Sequence, residues 1–326
     1  MNRARGLLAT LAATALLAGC TAGSDATTTT KVGSYTEPPL PAKAIPVLTD
    51  SPVPPERDEQ CGDPTASLRP TGAGIAARGP TIDAIRARGR LVVGLDTGSN
   101  LFSFRDPVSG TIVGFDADIA REVARDLLGS PEQIEYRSLG SAERESALQN
   151  HSVDLVAKTM TINCERREKV TFSTVYLQAN QRVLAVKNSG VRSLADLAGK
   201  RVCTVSGTTS LDHIRRNQPA ATILTVPTWA DCLVVLQQRQ VDAISTDDAV
   251  LAGLTAQDPS YTELVGPSIS VEPYGIGIPK GNDDLVRFVN GTLERIRNDG
   301  TWVRLYQQYL IALGPVPAPP APTYQD

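Results

Sequence analysis

The chain has 326 residues and a formal net charge of −3, with 32 basic and 35 acidic side chains mixed along its length, which excludes the basic stripe that nucleic-acid binding requires. Its two histidines, His151 and His213, are isolated and its five cysteines include no closely spaced pair, so neither a metal site nor a cofactor is expected. One apolar stretch near the N-terminus is too short to span a bilayer as a mature helix, and no second one follows.

That stretch, residues 7–18, follows Arg3 and Arg5 and has the form of a secretory signal. It ends in Leu17, Ala18, Gly19 and Cys20, a tetrapeptide that resembles the bacterial lipobox, in which the cysteine carries lipid and begins the mature protein. The reading is a signal peptide over 1–19 and a lipid anchor at Cys20, holding the protein to the outer face of the cell membrane without spanning it. Residues 20–79 are rich in Thr, Pro, Ala and Ser and poor in large apolar side chains, so they are read as an extended tether. The proline-rich residues 314–326 are read as a disordered tail. If Cys20 carries lipid, four cysteines remain and three pairings are open. The favoured one joins Cys203 to Cys232, which bracket one βαβα stretch, and Cys61 to Cys164, which clips the tether to the body.

The body begins with a helix over 81–88 and the apolar run LVVGL at 91–95, a strand that runs into Asp96. Polar groups at the C-terminal end of such a strand lie where open α/β sheets hold ligands, and Asp96 either holds an ammonium or caps a turn. A helix over 117–128 carries Ile119, Val123, Ala124 and Leu127 at helical spacing and closes at Gly129. Strand 133–137, helix 141–149 and strand 153–157 follow. This alternation predicts parallel strands joined by helical crossovers.

Next comes KTMTINCERR at 158–167. Thr159 and Thr161 alternate ahead of the adjacent guanidiniums of Arg166 and Arg167, so the segment is either a solvated basic turn after a strand or a carboxylate site. Strands then fall near 170–173, 175–177, 181–186, 201–205, 222–226, 241–245 and 262–265, with helices at 193–197, from 206, at 229–238 and at 249–254. A strand at 274–279 leads into helices over 283–297 and 302–310. Two α/β units in series predict two lobes, 80–180 with 272–313 and 181–271, joined near 176–181 and 271–274, with a ligand cleft between them.

Eight stretches in this order resemble one family: LVVGLD at Leu91, GFDADIA at Gly114, ALQNHSVDL at Ala147, TMTINCERREKVTFS at Thr159, SLADLAGKRV at Ser193, SGTTS at Ser206, VDAISTDDAVL at Val241 and YGIGIPKGNDDL at Tyr274. The chain resembles the extracytoplasmic solute-binding proteins, family 3, of polar amino-acid ABC transporters. The resemblance implies an α/β, type II periplasmic-binding fold whose two lobes, joined by two hinge strands, close on one amino acid. It implies that Arg166 grips the α-carboxylate with Thr161 and Thr159 beside it, and that Asp247 takes the α-ammonium. Ser206, Gly207 and Thr209 are placed at a helix N-terminus, where free amides favour an anion. The S-x-x-R-x-x-x-L form at 141–148 resembles glutamate and aspartate binders, which aims Ser141 and Arg144 at a side-chain carboxylate. Lys158 either adds positive charge or is solvated. Asp96 departs from the arginine of some glutamate-specific relatives, leaving glutamate, aspartate, glutamine and asparagine as ligands. Arg167 is expected to face solvent. The implied partner is an ABC permease or a membrane sensor. The alternative is an enzyme on the same fold, such as an amino-acid dehydratase, for which Glu143 and Glu165 are the available acids.

Overall fold

A computed structural model describes residues 37–48, 61–71 and 76–326. The signal sequence, Cys20 and much of the expected tether lie outside the described residues. In chain order the elements are β1 (Ile45–Pro46), α1 (Pro80–Arg88), β2 (Leu91–Leu95), β3 (Gly98–Ser99), β4 (Ser103–Arg105), β5 (Ile112–Val113), α2 (Phe115–Leu128), β6 (Ile134–Ser138), α3 (Arg144–Gln149), β7 (Leu155–Val156), α4 (Cys164–Arg167), β8 (Thr171–Phe172) and β9 (Leu177–Val186). They continue with β10 (Arg201–Val205), α5 (Thr209–Asn217), β11 (Thr222–Val226), α6 (Trp229–Gln237), β12 (Ala243–Asp247), α7 (Asp248–Gln257), β13 (Thr262–Tyr274), β14 (Gly277–Ile278), α8 (Asp283–Asn298) and α9 (Thr301–Tyr309).

Two sheets carry the lobes, in the orders β6-β2-β7-β14-β8 and β1-β11-β10-β12-β9-β13. Both are mixed: β2 runs parallel to β6 and β7, and β10 to β11 and β12, but β14, β9 and β13 pair antiparallel to their neighbours. The expected parallel pairing holds for the strands at 91–95, 134–138 and 155–156, and the antiparallel members enter because the chain returns through long strands as well as helical crossovers. Those strands are β9 and β13. Their antiparallel register runs from Leu177 opposite Tyr274 to Val186 opposite Thr262, with an irregularity between Val265 and Ser270, so each is one continuous ribbon where the sequence pattern indicated separate short strands. They form the two hinge connections of a type II fold.

Strand alternation builds the second lobe's core on both sheet faces. Val183, Ala185, Val202 and Ile223 lie on one side with Leu197 and Ile214. Leu184, Cys203, Val205 and Leu224 lie on the other with the α6 residues Trp229, Cys232 and Leu236, where the Cys203–Cys232 disulfide ties strand to helix. In the first lobe, α2 packs on β2 and α8 packs on α2, and Phe102, Phe115, Tyr176, Tyr274 and Trp302 form a chain of rings with centroids 6.1–6.4 Å apart. Trp302 Nε1 donates to the Tyr176 carbonyl at 2.7 Å, which fastens α9 to the hinge. Gly114 caps α2 at φ 132°, and a Cβ there would lie 2.3 Å from the Phe102 main chain, so the approach of β4 to this helix requires glycine. The small sheet β3-β4-β5 leaves no periodic pattern in the sequence because its strands are only two or three residues long.

The described parts of the tether are not free. β1 adds to the edge of the second sheet, with Ile45 opposite Thr225, and covers backbone groups that an edge strand leaves unpaired. Residues 61–71 dock on the first lobe through the Cys61–Cys164 disulfide, the Ser67 hydroxyl donating to the Phe172 carbonyl, and Asn290 Nδ2 donating to Ser67 and Leu68. A segment unable to build its own core has found a preformed one. The tail expected to be disordered is also tied down. Ser67 N donates to Thr323 O and Gln325 N to Ser67 O, while Asp326 accepts from Arg69 N and pairs with Arg287 at 2.6 Å. Proline limits the entropy lost when such a strand docks. Arg167 is correspondingly half-buried: its guanidinium donates to the carbonyls of Pro64 and Ala66 rather than facing solvent.

Candidate functional site

The C-terminal ends of β2, β7, β10 and β12 converge between the lobes, each delivering a polar segment, as open α/β sheets do at their ligand crevices. A narrow cavity with about 10 Å³ of free space lies there. From the first lobe Ser141, Arg144, Thr159, Thr161 and Arg166 line it. From the second come Thr209 and Asp247, together with Thr208, Ser210, Trp229 and Thr246.

Arg166 belongs to α4, a single turn begun by Asn163, whose side chain accepts from Arg166 N, and stapled at Cys164. Its guanidinium is 5% exposed and donates to Thr161 O at 2.7 Å and, across the cleft, to Gly207 O at 3.2 Å. Glu145 stands 3.5 Å from its Nε. Arg144, at the start of α3, donates to the carbonyls of Ser141, Lys158 and Thr159 and also to Gly207 O at 3.1 Å. Burial and the Arg166 charge beside it pull Arg144 down to about 9, so it remains cationic at neutral pH.

Asp247 ends β12. Its Oδ2 accepts from the Tyr274 hydroxyl, and its buried Oδ1 has no partner among the described residues. Burial, reinforced by the charge of Glu272, raises this carboxyl well above the usual range. A cation entering the cavity would reverse that shift. The two guanidiniums and the Asp247 carboxyl line the same cavity, which therefore offers partners to both an anion and a cation.

Other expected site residues fall elsewhere. Lys158 is not solvated, and Asp96 caps the turn after β2, its Oδ1 accepting from Gly98 N. They form a buried pair at 2.7 Å, 4% and 8% exposed at the side chain, and neither lines the cavity. Burial lowers the Lys158 ammonium and the Asp96 charge opposes that shift. The Asp96 charge is therefore spent within the first lobe. Ser206 lies in the turn after β10, outside the cavity lining. α5 begins at Thr209 and is capped by Thr208, whose hydroxyl accepts from Leu211 N. Gly207 contributes its carbonyl to both arginines.

Three positions in and around the cavity were not singled out in the sequence. Asp116, fully buried in the first turn of α2, accepts from Thr159 N at 2.9 Å and from the Tyr176 hydroxyl at 2.7 Å, and so holds Thr159 at its φ of 39°. Burial pushes Asp116 up to about 6 despite those bonds. Its signal was an acidic residue on the apolar side of an amphipathic helix. Glu272, on β13, is 1% exposed and accepts from the hydroxyls of both Thr161 and Thr209 at 2.8 Å; it is the one charged side chain between Ser268 and Pro279. Trp229, at the start of α6, had no local signal.

The model for bacterial extracellular solute-binding proteins, family 3, matches residues 91–312. The chain is 36% identical over 231 residues to the ABC transporter glutamine-binding protein GlnH of Bacillus subtilis, covering 71% of this chain and 84% of that one. It is 30% identical over 256 residues to the glutamate-binding protein GluB of Corynebacterium glutamicum, covering 75% and 86%. Among solved structures it resembles the ancestral amino-acid-binding protein AncCDT-1, a precursor of cyclohexadienyl dehydratase, with a TM-score of 0.65 and 33% identity, covering 71% of this chain and 99% of that one. The lobes, hinges and interlobe cleft agree with these likenesses, and the chain belongs to the bacterial extracellular solute-binding proteins, family 3.

Proposed function

We propose that the cleft captures one free polar amino acid, glutamate, aspartate, glutamine or asparagine, by closing two lobes around it. The observation that carries this reading is the pairing, in one small cavity, of two buried guanidiniums with a buried carboxylate whose Oδ1 no described residue engages. A zwitterion supplies the complementary charges. Arg166 takes the α-carboxylate, Asp247 the α-ammonium, and Arg144 with Ser141 the polar end of the side chain. The last assignment favours carboxylate over amide, while the relatives named for glutamine and for glutamate keep both classes open. The protein hands its ligand to an ABC permease or presents it to a membrane sensor, anchored through lipid on Cys20. The enzyme reading is disfavoured by the placement of its acids: Glu143 accepts from Gly140 N and lines no pocket of the cleft, and Glu165, at the outer pocket beside Arg166, is paired with Lys169.

A thermal-shift screen of all common amino acids tests the reading. A ligand at 100 times its Kd adds about 2.7 kcal/mol to the folded state, which for a protein of this size raises Tm by roughly 5–10 °C. Stabilisation by one of the four named amino acids is the expected result; a flat response to all four would refute it.

A further inference from the structure

Glu272 sits on the hinge strand β13, in reach of both lobes and bonded to two residues that line the cavity. Its Oε2 receives the Thr161 hydroxyl from the first lobe and the Thr209 hydroxyl from the second, each at 2.8 Å, and its Oε1 receives the Ser270 hydroxyl. His213 Nδ1 is 3.4 Å from the same Oε1 and 2.7 Å from Gln181 Oε1 on the other hinge strand. A threonine hydroxyl has one proton, and an ionised carboxylate only accepts. With both protons given to Glu272, Thr161 and Thr209 offer the cavity lone pairs alone. They are then acceptors for a ligand donor, which differs from the expectation that Thr161 helps Arg166 grip a carboxylate.

We propose that Glu272 is the positioning residue for the ligand's amino group: it fixes Thr161 and Thr209 as acceptors and, beside Asp247, makes this end of the cleft take an ammonium. The proposal rests on the amino-acid-binding reading above and adds a residue to it. Around Asp247, the charged and titratable groups are Glu272 and Tyr274 from β13, Asp248 from α7 and Arg144 from α3. Tyr274 donates to Asp247 and Arg144 is the one cation of the set, so the negative field at this end comes from Glu272 and Asp248. The charge of Glu272 is the largest electrostatic cause, after burial, of the raised Asp247 carboxyl. An ammonium arriving at Asp247 lowers that carboxyl again, so at any pH where the empty site holds a proton on it, binding releases that proton. Without the Glu272 charge, less release follows.

The test is calorimetric titration of the wild-type protein and Glu272→Gln with L-glutamate and L-glutamine at pH 7, in two buffers of different ionisation enthalpy, so that affinity and proton release are read together. Glu272→Gln should bind on the order of 10- to 100-fold more weakly, the loss of a hydrogen-bonding arrangement around a charged group, and should release fewer protons than the wild type. Glu272→Asp, which keeps the charge, should release as many as the wild type. Three results would overturn the proposal: unchanged affinity in Glu272→Gln, weaker affinity with an unchanged proton count, or a folded Glu272→Gln that binds nothing, which marks a purely structural requirement. A wild-type protein silent to both ligands, and to aspartate and asparagine, instead removes the amino-acid reading on which the proposal stands.

Discussion

Replacing Arg166 separates a carboxylate clamp from a structural arginine. In the structure its guanidinium is 5% exposed and bonds to two main-chain carbonyls, one from each lobe, with Glu145 at the looser distance of 3.5 Å. Among the described residues no carboxylate sits on it at bidentate distance, which leaves the fork open to a ligand anion. Leaving a desolvated carboxylate without its partner costs about 3–5 kcal/mol, so Arg166→Ala should weaken ligand binding on the order of 100- to 5,000-fold. Arg166→Lys keeps the charge but loses the planar fork and should still lose about 10-fold. Arg167→Ala is the control. Its side chain is turned to the 61–71 segment, so the variant should lose stability and keep its affinity. Calorimetric titration with the best-bound amino acid, alongside urea denaturation of each variant, gives both quantities. An Arg166→Ala protein that is folded and binds within threefold of the wild type would refute the clamp.

Burial lifts Asp116 from an ordinary 3.8 to about 6, so between those values the unfolded chain gives up the proton first and the native state loses stability as pH rises, by about 3 kcal/mol in all. Asp116→Asn should remove that pH-dependent component, seen as a flatter stability profile in urea between about pH 4 and 7; an unchanged profile would show that Asp116 does not titrate there. Removing the Cys61–Cys164 bridge, whose cysteines are 103 residues apart, should lower stability by up to about 4.7 kcal/mol, against up to about 3.6 for Cys203–Cys232 at 29 residues. Denaturation midpoints of the two double Cys→Ser variants check the order, and a reversed order would contradict this chain-entropy account. Gly207 has a φ of 74°, and a Cβ on it would lie 2.6 Å from the Ala142 main chain in the opposite lobe. Gly207→Ala should therefore obstruct lobe closure and weaken ligand binding at least about 10-fold, beyond the roughly 1–2 kcal/mol of local backbone cost; affinity equal to wild type would show that this contact does not form on closure.

What the sequence made legible was the part written in local pattern. The LVVGL strand, the spacing in the helix after Gly114 and the favoured cysteine pairs all reappear at their positions, and seven of the named site residues meet at one cavity. What it hid was written in contacts between distant segments. Lys158 looks solvated beside its sequence neighbours, and its burial depends on Asp96, 62 residues earlier. The tether reads as extended and the tail as disordered because each lacks apolar residues of its own, yet Ser67 and Tyr324 pair with each other on a lobe built by the rest of the chain. Glu272 lies in an otherwise uncharged hinge segment, and only the folded structure places it between Thr161 and Thr209, which are 48 residues apart in sequence.

The central claim is that Arg166 and Asp247 hold opposite ends of one zwitterion. The most direct measurement is a calorimetric comparison of the best-bound amino acid with its α-amide and with its des-amino analogue, on the wild-type protein. The account predicts that removing either ligand charge lowers affinity at least about 100-fold, the loss expected at a buried charged contact. An analogue lacking the α-carboxylate or the α-amino group that binds as tightly as the parent amino acid would contradict it.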